Sequence, residues 1–241
     1  MIFEQDKLTI YNDDCMSIMS FYEDNYFDLA IVDPPYGISI CETGYAHSKS
    51  RKVKQKNGIT IEVKKNNYGL FEDVKPEPEY FQELFRVSKN QIIWGGNHLA
   101  ELIGKNSPCW IVWDKVNGSS SFADCELAWT SLGTAVRKFT YMWSGMLQGS
   151  SKNGSIAEGN KRKHEKRIHA TQKPVRLYNW LYQNYAKPGM KVLDTHLGSG
   201  SNAIAAHYAK MGEFIGCEID GNHFKNSIEW IHKDTRQLEL F

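Results

Sequence analysis

Apolar positions along the chain keep two rhythms. Short unbroken runs, Leu29-Ala30-Ile31-Val32, Ile92-Ile93-Trp94, Val192-Leu193 and Phe214-Ile215-Gly216-Cys217, are too short for buried helices and end in turn or charged residues, which predicts strands buried on both faces. Other strand-like runs lie at Lys7 to Asn12, Trp110 to Trp113, Glu126 to Trp129 and Arg137 to Trp143, with turn signals at Asn117-Gly118 and Gly133. Between them apolar residues return every three or four positions. This predicts helices through Cys15, Ile18, Met19 and Tyr22 (capped by Asp13 or Asp14), over Pro78 to Ser88, up to about Ala186, over Ser201 to Met211, and after Asp220. Gly95-Gly96-Asn97 reads as a glycine turn with Asn97 able to cap the next helix. Strands alternating with helices predict an α/β fold whose mostly parallel sheet carries helices on both faces.

Two stretches break the pattern. From Ser39 to about Tyr68, and again from Gln148 to Arg167, glycine, serine and asparagine are mixed with Lys49, Arg51, Lys52, Lys54, Lys56, Lys64 and Lys65 in the first case and with Lys161-Arg162-Lys163 in the second. Each reads either as a solvated loop or as a nucleic-acid contact. The formal net charge of the 241 residues is only +1, so any polyanion must be met by such local clusters. The length suits one α/β domain over 1–241 with basic insertions at about 39–68 and 148–168. Cys15, Cys41, Cys109, Cys125 and Cys217 are scattered, and His164 and His169 have no cysteine at ligand spacing, so a reducing compartment without a metal site is expected. No run is long enough for a membrane span and no signal peptide is visible, which makes the cytoplasm the default location.

Candidate chemistry sits where two buried strands end. Asp33-Pro34-Pro35-Tyr36-Gly37 follows the first: an acceptor-only carboxylate, a carbonyl held stiffly by consecutive prolines, and an aromatic ring. The set suits a planar amine, two N–H groups meeting carboxylate and carbonyl while the ring stacks. A proline turn with a capping aspartate is the plainer reading. Val192-Leu193-Asp194-Thr195-His196-Leu197-Gly198-Ser199-Gly200-Ser201 is a strand, a glycine turn and a helix start, with Glu218 about twenty residues on, where an acid can hold ribose hydroxyls. Asp194 can meet an ammonium. The turn has no third glycine at the dinucleotide spacing, only Ala203.

Together these motifs resemble the S-adenosylmethionine-dependent amino methyltransferases of DNA in the β-type order, catalytic motif first, and are most similar to small adenine methyltransferases of phages and prophages. Trp113 to Gly118 with Phe122-Ala123-Asp124 resembles the family's middle motifs, which line the target-base pocket. The resemblance implies a Rossmann-like fold, S-adenosyl-L-methionine as cofactor and double-stranded DNA as partner, and is compatible with a homodimer and with a partner restriction endonuclease. It assigns Asp33, Pro34, Pro35 and Tyr36 to the flipped base. It assigns Asp194, Thr195, Leu197, Gly198, Ser199, Gly200, Glu218, Ile219, Thr171, Gln172 and Lys173 to the cofactor, Lys173 reaching its carboxylate. Thr195 and His196 stand where relatives usually have proline and phenylalanine; His196 either stacks in that place or is a satisfied polar residue. Adenine N6 is the expected target; cytosine N4, RNA, a protein glutamine, or a catalytically silent nucleic-acid-binding role are the alternatives.

Overall fold

A computed structural model describes residues 1–38, 51–54, 60–63, 73–117, 123–144, 147–149, 165–169 and 171–236, without the side chains of 51–54, 60–63, 144 and 147. The chain opens on a hairpin of β1 (Ile2–Gln5) and β2 (Leu8–Tyr11), then α1 (Cys15–Met19), capped by the Asp14 carboxylate accepting from the backbone N–H of Met16 and Ser17, and β3 (Leu29–Val32). A second hairpin, β4 (Arg51–Lys54) and β5 (Thr60–Val63), lies inside the first basic stretch, where the sequence shows no periodicity. There follow α2 (Pro78–Val87), β6 (Gln91–Trp94), α3 (Gly96–Ile103), β7 (Trp110–Asp114), β8 (Cys125–Thr130), β9 (Arg137–Thr140), and the small pair β10 (Met142–Ser144) and β11 (Leu147–Gly149). The last part is α4 (Val175–Tyr185), β12 (Lys191–Asp194), α5 (Ser201–Tyr208), β13 (Glu213–Cys217) and α6 (Gly221–Thr235).

Among the described residues nine strands form one sheet in the order β1-β2-β13-β12-β3-β6-β8-β7-β9. β2, β13, β12, β3 and β6 run parallel, and β8 is antiparallel to both of its neighbours. The order reverses between β12 and β3, the kind of switch point beyond which ligands bind in open α/β sheets.

Why the central strands are apolar throughout follows from the two layers they serve. Leu29 and Ile31, Ile92 and Trp94, Val192 and Phe214 face one core, with Leu177, Tyr178, Leu181 and Tyr182 of α4, Ala203 to Ala206 of α5, and Phe224 and Ile231 of α6. Ala30 and Val32, Ile93, Leu193, Ile215 and Cys217 face the other, with Ile18 and Met19 of α1, Tyr80, Phe81, Leu84 and Val87 of α2, and Leu99 and Ile103 of α3. Successive side chains point to opposite faces, so a sheet covered on both sides leaves no polar position to alternate with. Residues 201–206 are buried all round, as befits a helix held between α4, α6 and the sheet.

Two local expectations fail for physical reasons. Asn97 lies inside α3 and caps nothing; the helix starts from Gly95, left-handed at φ 68°. The stretch Arg137 to Trp143 divides, β9 joining the large sheet and β10 leaving it to pair with β11. Among the described residues no helix is long and apolar enough to cross a membrane.

Candidate active site

Parallel strands bring their carboxyl ends to one edge of the sheet, and the antiparallel β8 brings its amino end to the same edge. That geometry gathers Asp33 after β3, Gly95 after β6, Lys115 after β7, Glu126 at the start of β8 and Asp194 at the end of β12. Lys173 joins them from the segment before α4.

The side chains around Asp33 form a continuous polar cluster. Tyr36 donates its hydroxyl to Asp33 Oδ1 at 2.5 Å, and Lys173 Nζ lies 2.5 Å from Asp33 Oδ2 and 3.1 Å from the Tyr36 oxygen. Burial, then the Asp33 and Glu126 charges, hold the Tyr36 phenol well above its ordinary value, so it keeps the proton it donates. Lys173 is only 3 % exposed in its side chain. Burial favours its neutral form, but Asp33 and Glu126 outweigh that and raise its pKa. Glu126 pairs with Lys173 at 3.2 Å and with Lys115. Burial works against the Glu126 carboxylate too, yet the two lysines hold it down at about 2. The Tyr36 ring stacks on His98 at 5.4 Å between centroids and 18° between planes. It also rests on Gly95, where a Cβ would come within 2.1 Å of the ring; glycine is needed there for the close approach as well as for its φ.

The glycine turn after β12 lies next door. Asp194 is 3 % exposed and accepts from Asn202 Nδ2 at 2.9 Å and from the backbone N–H of His196 at 3.1 Å. Asn202 also donates to the Ile31 carbonyl and accepts from the Tyr182 hydroxyl, so it ties β12 to β3 at the switch point. Burial pushes Asp194 up to about 7. The Glu218 carboxylate is oriented by the backbone N–H groups of Gly198 at 2.8 Å and Asp220 at 2.9 Å, one on each oxygen, and keeps lone pairs free on both. Beside it Ile219 is 72 % exposed, an apolar surface at the mouth of the turn. Gly198 and Gly200 are both left-handed, at φ 56° and 84°. A Cβ at Gly200 would strike Ile231 and Ser227 of α6, so glycine at 200 serves the backbone angle and the helix packing behind the turn. Ser199 pairs with Ser201, and Leu197 is part of the core.

Several residues do other work than the motifs alone suggest. The structure places Lys173 on Asp33, Glu126 and Tyr36. Gln172 is committed to its own loop, accepting from the Ile168 N–H and donating to Glu165, and Thr171 Oγ1 meets His169 Nδ1 at 3.2 Å. The first N–H of α4, from Val175, is met by Glu165 at 2.9 Å, so the helix start is already capped by a carboxylate of the chain. His196 is a satisfied polar residue: Nδ1 meets Thr195 Oγ1 at 2.9 Å, Thr195 in turn meets the Tyr80 hydroxyl at 2.7 Å, and the ring lies edge-on to Tyr80 at 5.4 Å. Burial holds His196 down at about 4, hence neutral at pH 7. Glu126 and Glu165 were invisible in sequence. Lys115 stands in the middle-motif stretch and Glu126 begins a predicted strand, and only the register that sets Trp113 opposite Glu126 makes them neighbours. Phe122 lies outside the described residues.

Known proteins are similar to this chain in sequence or in fold. The type II methyltransferase M2.MboI of Moraxella bovis is 25 % identical over 266 residues, which span 98 % of this chain and 93 % of that protein. The solved structure of M1.HpyAVI in complex with SAM superposes with a TM-score of 0.53 at 17 % identity, over 92 % of this chain and 99 % of that one. The cytosine-N4-specific PvuII DNA methyltransferase does so with a TM-score of 0.54 at 11 % identity, over 97 % and 93 %. At such identities these two likenesses are of fold. A family model described as DNA methylase, N6_N4_Mtase, matches residues 42–229, which take in Lys173 and the glycine turn and begin just after Asp33 to Tyr36. By that match the chain belongs to the N6/N4 DNA methylase family.

Proposed function

We propose that the protein methylates N6 of an adenine turned out of double-stranded DNA, with Asp33, Pro34, Pro35 and Tyr36 as the amine site and the turn from Asp194 to Gly200, with Glu218 and Ile219, as the site for S-adenosylmethionine. The observation that carries this reading is the position of Asp33 and Asp194 at the ends of adjacent parallel strands, at the reversal of strand order. One carboxylate stands ready for an amine and the other for an ammonium. The fit to the cofactor is chemical: a buried acid for the amino group, an oriented acid with spare lone pairs for ribose, and an exposed isoleucine for the flat face of adenine.

Turning a base out costs a few kcal/mol, and stacking on Tyr36 returns about 1–3 kcal/mol of that. Asp33 and the Pro34 carbonyl accept the two amine hydrogens, which draws the nitrogen lone pair out of the ring. S-adenosylmethionine supplies an electrophilic sulfonium methyl: the lone pair bonds to the methyl carbon while the C–S pair stays on sulfur. The charge that grows on nitrogen is stabilised by Asp33, and the methylated amine then gives its surplus proton to solvent water. An aryl amine is far too weak an acid to be deprotonated first, so Asp33 acts by position and charge. Aspartate in the first place of the motif favours adenine by resemblance. The shared fold of the cytosine-N4-specific PvuII enzyme keeps cytosine N4 as the second reading.

Labelled methyl transfer to DNA, followed by nucleoside analysis, distinguishes the two bases. Asp33→Ala should lower turnover about a hundredfold or more and leave cofactor affinity nearly intact by calorimetry. Turnover above about a tenth of wild type would remove Asp33 from the amine site.

A further inference from the structure

Each oxygen of the Asp33 carboxylate already has a partner before any amine arrives, Tyr36 on one and Lys173 on the other. A cation so close would also oppose the positive charge that methyl transfer creates on the amine. A second anion lies within reach of the lysine: Glu126 Oε2 is 3.2 Å from Lys173 Nζ, farther off than Asp33 Oδ2 at 2.5 Å. The other Glu126 oxygen is fixed by Lys115.

We propose that Glu126 is a positioning residue that draws Lys173 off Asp33 when the amine of the target base binds, so that Asp33 faces the reacting nitrogen with its charge uncompensated at close range. The proposal rests on the assignment of Asp33 to the amine. Lys173 need move little, from a site where Asp33 is its nearest anion to one where Glu126 is. The charges of Lys115, Glu126, Lys173 and Asp33 sum to zero before and after, so no net charge enters or leaves the buried cluster. Glu126 thereby supplies what a lone Asp33–Lys173 pair lacks, a second anion that keeps the lysine satisfied while it gives up the first. Without the Glu126 charge, Lys173 has Asp33 as its one anionic partner, and the cluster confronts a nitrogen that is becoming cationic with a net positive charge.

The test is Glu126→Gln in the full chain, with steady-state transfer to DNA and calorimetric cofactor binding. Turnover should fall about tenfold or more, while cofactor affinity stays within about twofold of wild type, since Glu126 acts on the amine site and not on the cofactor. Glu126→Asp should recover most of the lost turnover. The double variant K173M/E126Q removes a cation and an anion together, and remains readable if Glu126→Gln alone fails to fold. At saturating cofactor it should turn over within about twofold of K173M, because Glu126 then has no lysine to move. Unchanged turnover in Glu126→Gln, or a tenfold loss repeated in the K173M background, would overturn the proposal. If Asp33→Ala is inactive and Glu126→Gln is not impaired, this inference fails alone. If Asp33→Ala is active, the amine site itself is misplaced.

Discussion

Asp194 shows how burial sets a residue's chemistry. Its folded-state pKa of about 7 lies above the usual carboxylate value because the side chain is desolvated. The folded protein therefore holds the proton more tightly than the unfolded chain. The stability this contributes is complete below the unfolded value of about 4 and is lost as pH rises toward 7. Asp194→Asn keeps the shape and removes the titration. Urea unfolding should then show the variant gaining on wild type between pH 5 and pH 8, by on the order of a few kcal/mol. Glu165, also pushed up to about 7 by burial, titrates in both proteins and cancels in the comparison. An equal difference at the two pH values would mean that Asp194 is ionised throughout. The place of Asp33 and Asp194 at strand ends could be read from sequence because each closes a run of buried apolar residues. Glu126 could not: a single acid at the head of a strand gives no sign that its neighbours will be two lysines.

At the scale of elements, the turn from β6 into α3 has a larger part than its sequence suggests. Gly95-Gly96-Asn97 reads as a cap, yet the helix is entered through a left-handed glycine whose missing side chain makes room for the Tyr36 ring. Gly95→Ala would pay about 1–2 kcal/mol for the backbone angle, and would push the ring out of place besides. Both a lower unfolding midpoint and a fall in turnover of at least about tenfold are expected, with cofactor affinity kept. Normal turnover in that variant would show that Tyr36 need not rest on this turn. Strands and long helices were legible because their faces are defined by burial on two sides. The division of β9 from β10 was not, since a strand leaving a sheet keeps the same local pattern, and neither was the capping of α4 by Glu165, an acid from outside the helix.

For the molecule as a whole, the net charge of +1 leaves DNA binding to clusters. Of the basic residues near the described site, Lys115 is spent on Glu126 and Lys138 pairs with Asp114. The two basic stretches of the sequence remain the candidates; Lys56 and residues 161–163 lie outside the described residues. Replacing Lys52, Lys54 and Lys56 together, or Lys161, Arg162 and Lys163 together, by neutral residues should lower the slope of log K against log salt by about one unit for each lysine or arginine that meets a phosphate. Cofactor affinity should not change. An unaltered slope in both variants would make these stretches solvated loops.

The strand that carries Asp33 is paired on one side by β6 and on the other by β12, so its two neighbours are made at very different times. During synthesis the β12 side of β3, with its unpaired backbone groups, has no partner until residues 191–194 emerge, and β2 likewise waits for β13. An open edge on an apolar central strand is a template for the wrong partner. Most of this chain is therefore made before that edge closes, which waits for the last fifth, and the amine site and the glycine turn are born in the same closing step.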